Sequence, residues 1–141
     1  TMTLEQVINE LNYLTLRNKS IEALLELEKR NKKRYDYLVS IGRTDEAEKL
    51  ANKTLEWKIG EQIQGFVDIE AKYKDAIQRL PEPNKTIAEL RFIKGLKTKE
   101  IAARLHYKEA TIKKRLYGRK ENPYSYSSIY EQIYKIIKGE G

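Results

Sequence analysis

Twelve lysines and arginines, against three acidic residues, crowd the stretch from Lys85 to Lys120. Cationic groups at that density displace counterions from nucleic acid phosphates, so the chemistry they suggest is electrostatic binding of a polyanion. The excess is local: residues 1–83 hold 14 Lys/Arg and 15 Asp/Glu, whereas residues 84–141 hold 14 and 6. The two parts therefore carry −1 and +8 of the chain's net +7. A solvated basic face would have the same density, so the pattern that positions the charge has to decide between the two.

Little else invites chemistry. The chain has one histidine, His106, no cysteine, no glycine-rich phosphate loop and no carboxylate pair set apart from a solvated helix face. His106 has no ligand companions. No catalytic residue, metal or cofactor is expected, and the chain is not expected to be an enzyme.

From Thr98 the sequence reads T-K-E-I-A-A-R-L-H-Y-K-E-A-T-I-K-K-R-L-Y, with apolar side chains at Ile101, Leu105, Tyr107 and Ile112 and a small one at Ala102. Two short helices crossing steeply must approach closely at one point, which requires a small side chain there, while Ile101, Leu105 and Ile112 fill the angle. The spacing predicts a helix-turn-helix over about Thr98 to Tyr117. Its second helix, from about Glu109 to Tyr117, exposes Ala110, Thr111, Lys113, Lys114 and Arg115, a basic face that fits the major groove of double-stranded DNA. Thr98, Lys99, Lys108, Arg119 and Lys120 complete the expected DNA-binding set. The apolar spacing alone would suit a three-helix core domain that holds no DNA; the local +9 excess favours the DNA reader.

The run Leu90-Arg91-Phe92-Ile93-Lys94-Gly95-Leu96-Lys97-Thr98-Lys99-Glu100-Ile101-Ala102 resembles the region 4 helix-turn-helix of bacterial σ factors, and the likeness extends through Arg115. It is closer still to phage and prophage late-gene transcriptional regulators of the ArpU and RinA type, in which L-x-x-R-Y-I-x-G-x-x-x-x-E-I-A-x-x-L-G-Y-S follows a helical N-terminal part. Here Arg91-Phe92-Ile93-x-Gly95 and Leu105-His106-Tyr107-Lys108 occupy those places. The resemblance spans about 35 residues, and the N-terminal half agrees only in architecture. It implies a transcriptional activator of phage late genes, with RNA polymerase as a second partner. The rivals are a σ-like adaptor acting mainly through polymerase contact and a DNA-packaging subunit like the phage small terminases. The latter usually place the helix-turn-helix before the oligomerising helices, the reverse of the order here.

Two positions depart from that pattern. His106 stands where the turn ordinarily carries glycine, because the backbone there tends to positive φ, a region histidine enters at some cost. Lys108 replaces the serine or threonine that would cap the recognition helix, a loss of about 1 kcal/mol, and sets a cation at a positive helix end. A DNA phosphate docked there would neutralise both Lys108 and the exposed backbone N–H groups, so Lys108 is expected to contact phosphate.

The elements that must position this motif are helical. Charged residues make up 35% of the chain and hydrophobic ones 40%, with three prolines and seven glycines, a balance that predicts an all-α fold. Two breakers divide it: Ser40-Ile41-Gly42-Arg43-Thr44-Asp45, where Gly42 ends one helix and Thr44 caps the next, and Pro81-Glu82-Pro83-Asn84. Before the first breaker, a heptad frame through Leu4, Val7, Leu11, Leu14, Asn18, Ile21, Leu25, Glu28, Lys32, Tyr35 and Val39 holds eight apolar residues in eleven slots. Thr3 and Gln6 form a capping-box pattern at its start, and Asn18-Lys19-Ser20 reads as either a polar turn of one helix or a junction between two.

Between the breakers, Ile59, Ile63, Phe66, Tyr73, Ile77 and Leu80 predict a second long helix, although Trp57, Gly60 and Gly65 lie within it and each glycine costs about 1 kcal/mol. The pair would fold back as an antiparallel hairpin or join a second chain as a coiled-coil homodimer. Asn84 is expected to cap the following helix and Gly95 to close it. Residues 1–80 thus read as a helical arm, 84–120 as the DNA-binding domain, and 123–139 as a short apolar helix capped by Ser128 with Glu131. The tyrosines Tyr117, Tyr124, Tyr126, Tyr130 and Tyr134 near that helix are expected to pack their rings and keep their hydroxyls wet rather than contact DNA. No charged-then-apolar leader and no apolar run of about 20 residues is present, so a cytoplasmic protein with no membrane contact is expected.

Overall fold

The computed structural model describes residues 2–124 and 127–139. The fold is all-α: α1 (Leu4–Asn12), α2 (Leu14–Ser40), α3 (Thr44–Glu56), α4 (Ile59–Gln78), α5 (Asn84–Ala88) running into a π-helical turn (Glu89–Ile93), α6 (Thr98–Leu105), α7 (Glu109–Tyr117) and α8 (Ile129–Ile137). A minimal antiparallel hairpin, β1 (Gly118–Arg119) and β2 (Asn122–Pro123), separates α7 from α8. Among the described residues no helix is long and apolar enough to cross a membrane.

Local signals in the sequence account for most of these limits. The Thr3 capping box forms in full: Thr3 Oγ1 accepts from the Gln6 N–H at 3.2 Å, and Gln6 Oε1 accepts from the Thr3 N–H at 2.8 Å. Asn18-Lys19-Ser20 stays helical, with Ser20 Oγ donating to the Leu16 carbonyl at 3.0 Å. The interruption comes earlier, at Tyr13. Gly42 does end α2, at φ +80°. Thr44 is not the cap it was expected to be; it is the first residue of α3, and Arg43 precedes it with no side-chain cap bond. Asn84 likewise begins α5 instead of capping it.

The single long helix expected between the breakers is two. The buried or half-buried side chains of α3 are Ala47, Leu50, Ala51 and Thr54, and the next inward residue is Ile59. A step of five residues cannot stay on one face of a continuous helix. The chain re-phases at Trp57 and Lys58, the latter at φ +47°, and Gln62 Nε2 donates to the exposed Trp57 carbonyl at 2.6 Å. Gly60 and Gly65 remain inside α4.

The chain forms two compact units, whose limits fall within α2 and α4 and not at the prolines: residues 1–15 with 70–141, and residues 16–69. The first has a dense core in which Val7, Leu11, Tyr73, Ile77, Ile87, Ile101, Ile112, Leu116, Ile129 and Ile133 are almost completely covered. α1 packs on α8, and α8 on α7, so the N-terminal helix belongs to the body that carries the helix-turn-helix.

The second unit buries far less: among the described residues only Leu38, Ala47 and Ile59 are buried apolar side chains. The heptad slots Leu14, Asn18 and Ile21 at the start of α2 are buried or half-buried as expected, but farther along the inward positions include Leu24, Asn31 and Leu38, one residue before the slots Leu25, Lys32 and Val39. Leu25 is 51% exposed and Val39 43%. The far half of α2 thus turns one flank of its apolar stripe inward and leaves the other in water.

Candidate nucleic-acid interface

Four local features fix α7, the second helix of the motif. The π-helical turn after α5 buries Leu90 and Phe92, and Gly95 then turns the chain at φ +74°. A Cβ on Gly95 would stand 3.1 Å from Thr15 Cγ2, so both conformation and space favour glycine there. Arg91 spans this turn, donating to the Leu96 carbonyl at 3.1 Å and reaching the Tyr117 hydroxyl at 3.4 Å. The turn between α6 and α7 centres on His106, which adopts φ +61°, ψ +38°, the left-handed conformation expected of it.

α6 and α7 pack directly on each other, with Ile101 and Ile112 fully covered and Ala102 almost so, as the spacing predicted. Leu105 is half-buried, whereas Tyr107 is largely exposed and contributes little to the angle. α7 begins at Glu109 and ends at Tyr117, the expected limits.

The residues expected to bind DNA, Arg115 apart, sort into three groups. Ala110, Lys113, Lys114, Arg119 and Lys120 are exposed and line one cleft of about 840 Å³ between α7 and the β1–β2 hairpin, with Tyr117 and Tyr124 also on its wall. Lys113 additionally pairs with Glu109 at 3.2 Å, still 56% exposed. Lys99 and Lys108 are exposed outside the cleft; Lys108 precedes α7 in an extended conformation without a side-chain cap bond. Thr111, expected to be exposed, is half-buried, as is Thr98, whose Oγ1 is already engaged with Glu109 at 3.3 Å.

Arg115 corrects the expectation of an exposed side chain. It is half-buried, its Nη1 donates to Asn84 Oδ1 at 3.2 Å, and its Nε is buried without a partner. Asn84, itself buried, donates in turn to Gln132 at 3.2 Å, and Gln132 donates to the Ser127 carbonyl at 3.0 Å. Position 115 falls three residues after Ile112 and one before Leu116, on the flank of α7 that faces α5 and α8. Arg115 therefore ties α7 to α5 and, through the buried Asn84, to α8.

Tyr117, Tyr124 and Tyr130 pack their rings as expected, but two of their hydroxyls meet protein groups, that of Tyr117 accepting from Arg91 Nη2 at 3.4 Å. Tyr117, Tyr124 and Tyr130 form a cluster, with Tyr117 and Tyr130 stacked at 5.8 Å and Tyr124 edge-on to Tyr130 at 5.0 Å. The Tyr130 hydroxyl is not wet: it bonds to Asn12 Oδ1, and burial, with the nearby Tyr117 and Tyr124, pushes its pKa well above the ordinary value of 10. Tyr134 lies under Lys138 Nζ at 5.1 Å. Tyr126 lies outside the described residues. Ser128 caps α8, accepting from the Glu131 N–H at 3.1 Å.

The hairpin and the tyrosine contacts that anchor it were not legible in the sequence, where 123–139 read as a short apolar helix; Pro123 instead pairs in β2, and α8 starts at Ile129. The available signal was Gly118 followed four residues later by Asn122-Pro123, turn-forming types bracketing the three charged residues Arg119, Lys120 and Glu121.

Residues 71–117 match the family described as Sigma-70, region 4, about a third of the chain. No curated protein and no solved structure matches it. The match starts one residue after the helix-turn-helix unit resumes at Glu70, and it ends with the last residue of α7. From the end of α4 through α7, this chain is therefore built like region 4 of Sigma-70, a likeness that supports a role in DNA binding and transcription regulation.

Proposed function

We propose that this protein is a non-catalytic, sequence-specific regulator of transcription that places α7 in the major groove of double-stranded DNA. The observation that carries this reading is the exposed, cationic face of a helix held at the second position of a region 4-like helix-turn-helix. Ala110, Lys113 and Lys114 face bases or adjacent phosphates, with Thr111 beside them, and Lys99 and Lys108 contact phosphates. Resemblance to the ArpU and RinA type makes phage or prophage late genes its target in the cytoplasm, as an activator.

The protein works as a homodimer through residues 16–69. A segment of that length with three buried apolar side chains cannot stabilise itself alone, and Leu16, Leu25, Val39, Leu55 and Trp57 are all exposed on it. A second copy is the partner that a regulator of two DNA half-sites requires. The Sigma-70 match favours one alternative, an adaptor that acts mainly by touching RNA polymerase.

Sequencing the DNA that the purified full chain retains from sheared genomic DNA tests the proposal. Recovery of one or a few related sites ahead of a transcription unit is expected. Recovery of unenriched DNA together with copurification of polymerase would replace the proposal with the adaptor.

A further inference from the structure

We propose that the cleft between α7 and the β1–β2 hairpin seats one sugar–phosphate strand of duplex DNA, with Arg119 and Lys120 forming the wall opposite Lys113 and Lys114. This rests on the reading of α7 as the major-groove helix and adds a second contact element to it.

Three observations lead there. Four cationic side chains line a single open cleft of about 840 Å³, and of the two acids beside them Glu109 is engaged by Lys113 and Thr98. The hairpin is fixed to the helix it follows. Gly118 sits at φ +80°, ψ −148°, a conformation essentially reserved for glycine, and it reverses the chain directly at the end of α7. Gly118 then pairs with Pro123 and Arg119 with Asn122, while the Tyr124 N–H donates to the Tyr117 carbonyl. The ring of Tyr124 packs edge-on against Tyr117 at 6.0 Å and Tyr130 at 5.0 Å. Arg119 and Lys120 are thus carried on backbone held to α7, not on a free tail.

The geometry of a duplex supplies the rest. A helix lying in the major groove has a phosphate strand on either side, and an element that turns back from its C-terminus meets one of them. An acidic peptide would also suit the charge, but the cleft shares one wall with the helix face that reads DNA. A strand entering the groove edge passes between both walls.

The test is fluorescence anisotropy of the full chain on a labelled mixed-sequence duplex over a range of salt concentrations. Each phosphate contact contributes about 0.9 to the slope of log affinity against log salt. Arg119→Ala/Lys120→Ala is expected to flatten that slope by about two while leaving the thermal unfolding seen by circular dichroism unchanged. Lys33→Ala/Arg34→Ala, which removes the same charge from exposed positions on α2, is expected to leave the slope as it was. A wild-type slope in the hairpin variant, with a reduced one in Lys114→Ala, would overturn the cleft while the α7 reading stands, leaving the hairpin to an acidic protein partner. Equal flattening by both double variants would reduce the effect to net charge and overturn the proposal as well. Failure of the unmodified chain to bind the duplex at low salt would overturn both readings.

Discussion

At the scale of single residues, α7 turns two lysines to solvent and the arginine that follows them into a buried polar contact. Lys113 and Lys114 emerge exposed where the helical period put them, but Arg115, next in sequence, turns inward to Asn84. Its partner lies 31 residues away, and no local pattern announces such a relay. His106 is the opposite case: position in the motif alone indicated a left-handed residue, and φ +61° is observed. A non-glycine residue in that region carries roughly 1–2 kcal/mol of strain. Part of the gain from relieving it is lost to the greater freedom of glycine in the unfolded chain. His106→Gly is therefore expected to raise the unfolding free energy by about 1 kcal/mol, measured by urea denaturation. His106→Val is expected to lower it by at least as much, because a β-branched side chain tolerates the conformation least.

At the scale of elements, the helix-turn-helix was the most legible part of the chain and the long helices the least. Between Thr98 and Tyr117 a short motif packs against itself, so apolar spacing, a small contact residue and the turn agree on one geometry. α2 to α4 lack that closure. Heptad spacing indicated long helices and the inward face of α2 as far as Ile21, but it did not reveal the break at Lys58 or which flank of α2 turns inward beyond Ile21. Both depend on how neighbouring helices meet. Lys108 belongs to this scale because it acts on the end of α7. Lys108→Ser would supply the missing cap and remove a cation from a positive helix end, so the folded protein is expected to gain about 1 kcal/mol. The same substitution is expected to weaken DNA binding and flatten its salt dependence by about one unit if Lys108 contacts phosphate. Tighter binding with an unchanged slope would show that it does not.

At the scale of the whole molecule, the two compact units have very different cores. The helix-turn-helix unit gathers α1, the end of α4, and α5 to α8 around an interior that excludes water, and the Sigma-70 match begins where that unit resumes. The unit of residues 16–69 leaves a groove of about 660 Å³ lined by Tyr35, Leu50, Leu55 and Ile59, with the amide nitrogen of Asn31 buried and unpartnered beside it. A buried polar side chain on an apolar stripe is a device for setting register and copy number in helical assemblies, at a cost in stability. Light scattering of the full chain is expected to give twice the 16.6 kDa chain mass, and Leu25→Glu/Leu55→Glu to give 16.6 kDa. A monomeric unmodified chain at micromolar concentration would contradict the homodimer.

The claim on which the rest depends is that the exposed cationic face of α7 holds duplex DNA. Its most direct test is the affinity of the full chain for a DNA fragment it retains, measured against salt for the unmodified protein and for Lys113→Ala/Lys114→Ala. The account predicts weaker binding in the variant, by about 1–3 kcal/mol for each lysine that reads a base, or a slope flatter by about one unit for each that meets a phosphate. Identical affinity and identical slope in the two proteins would contradict it.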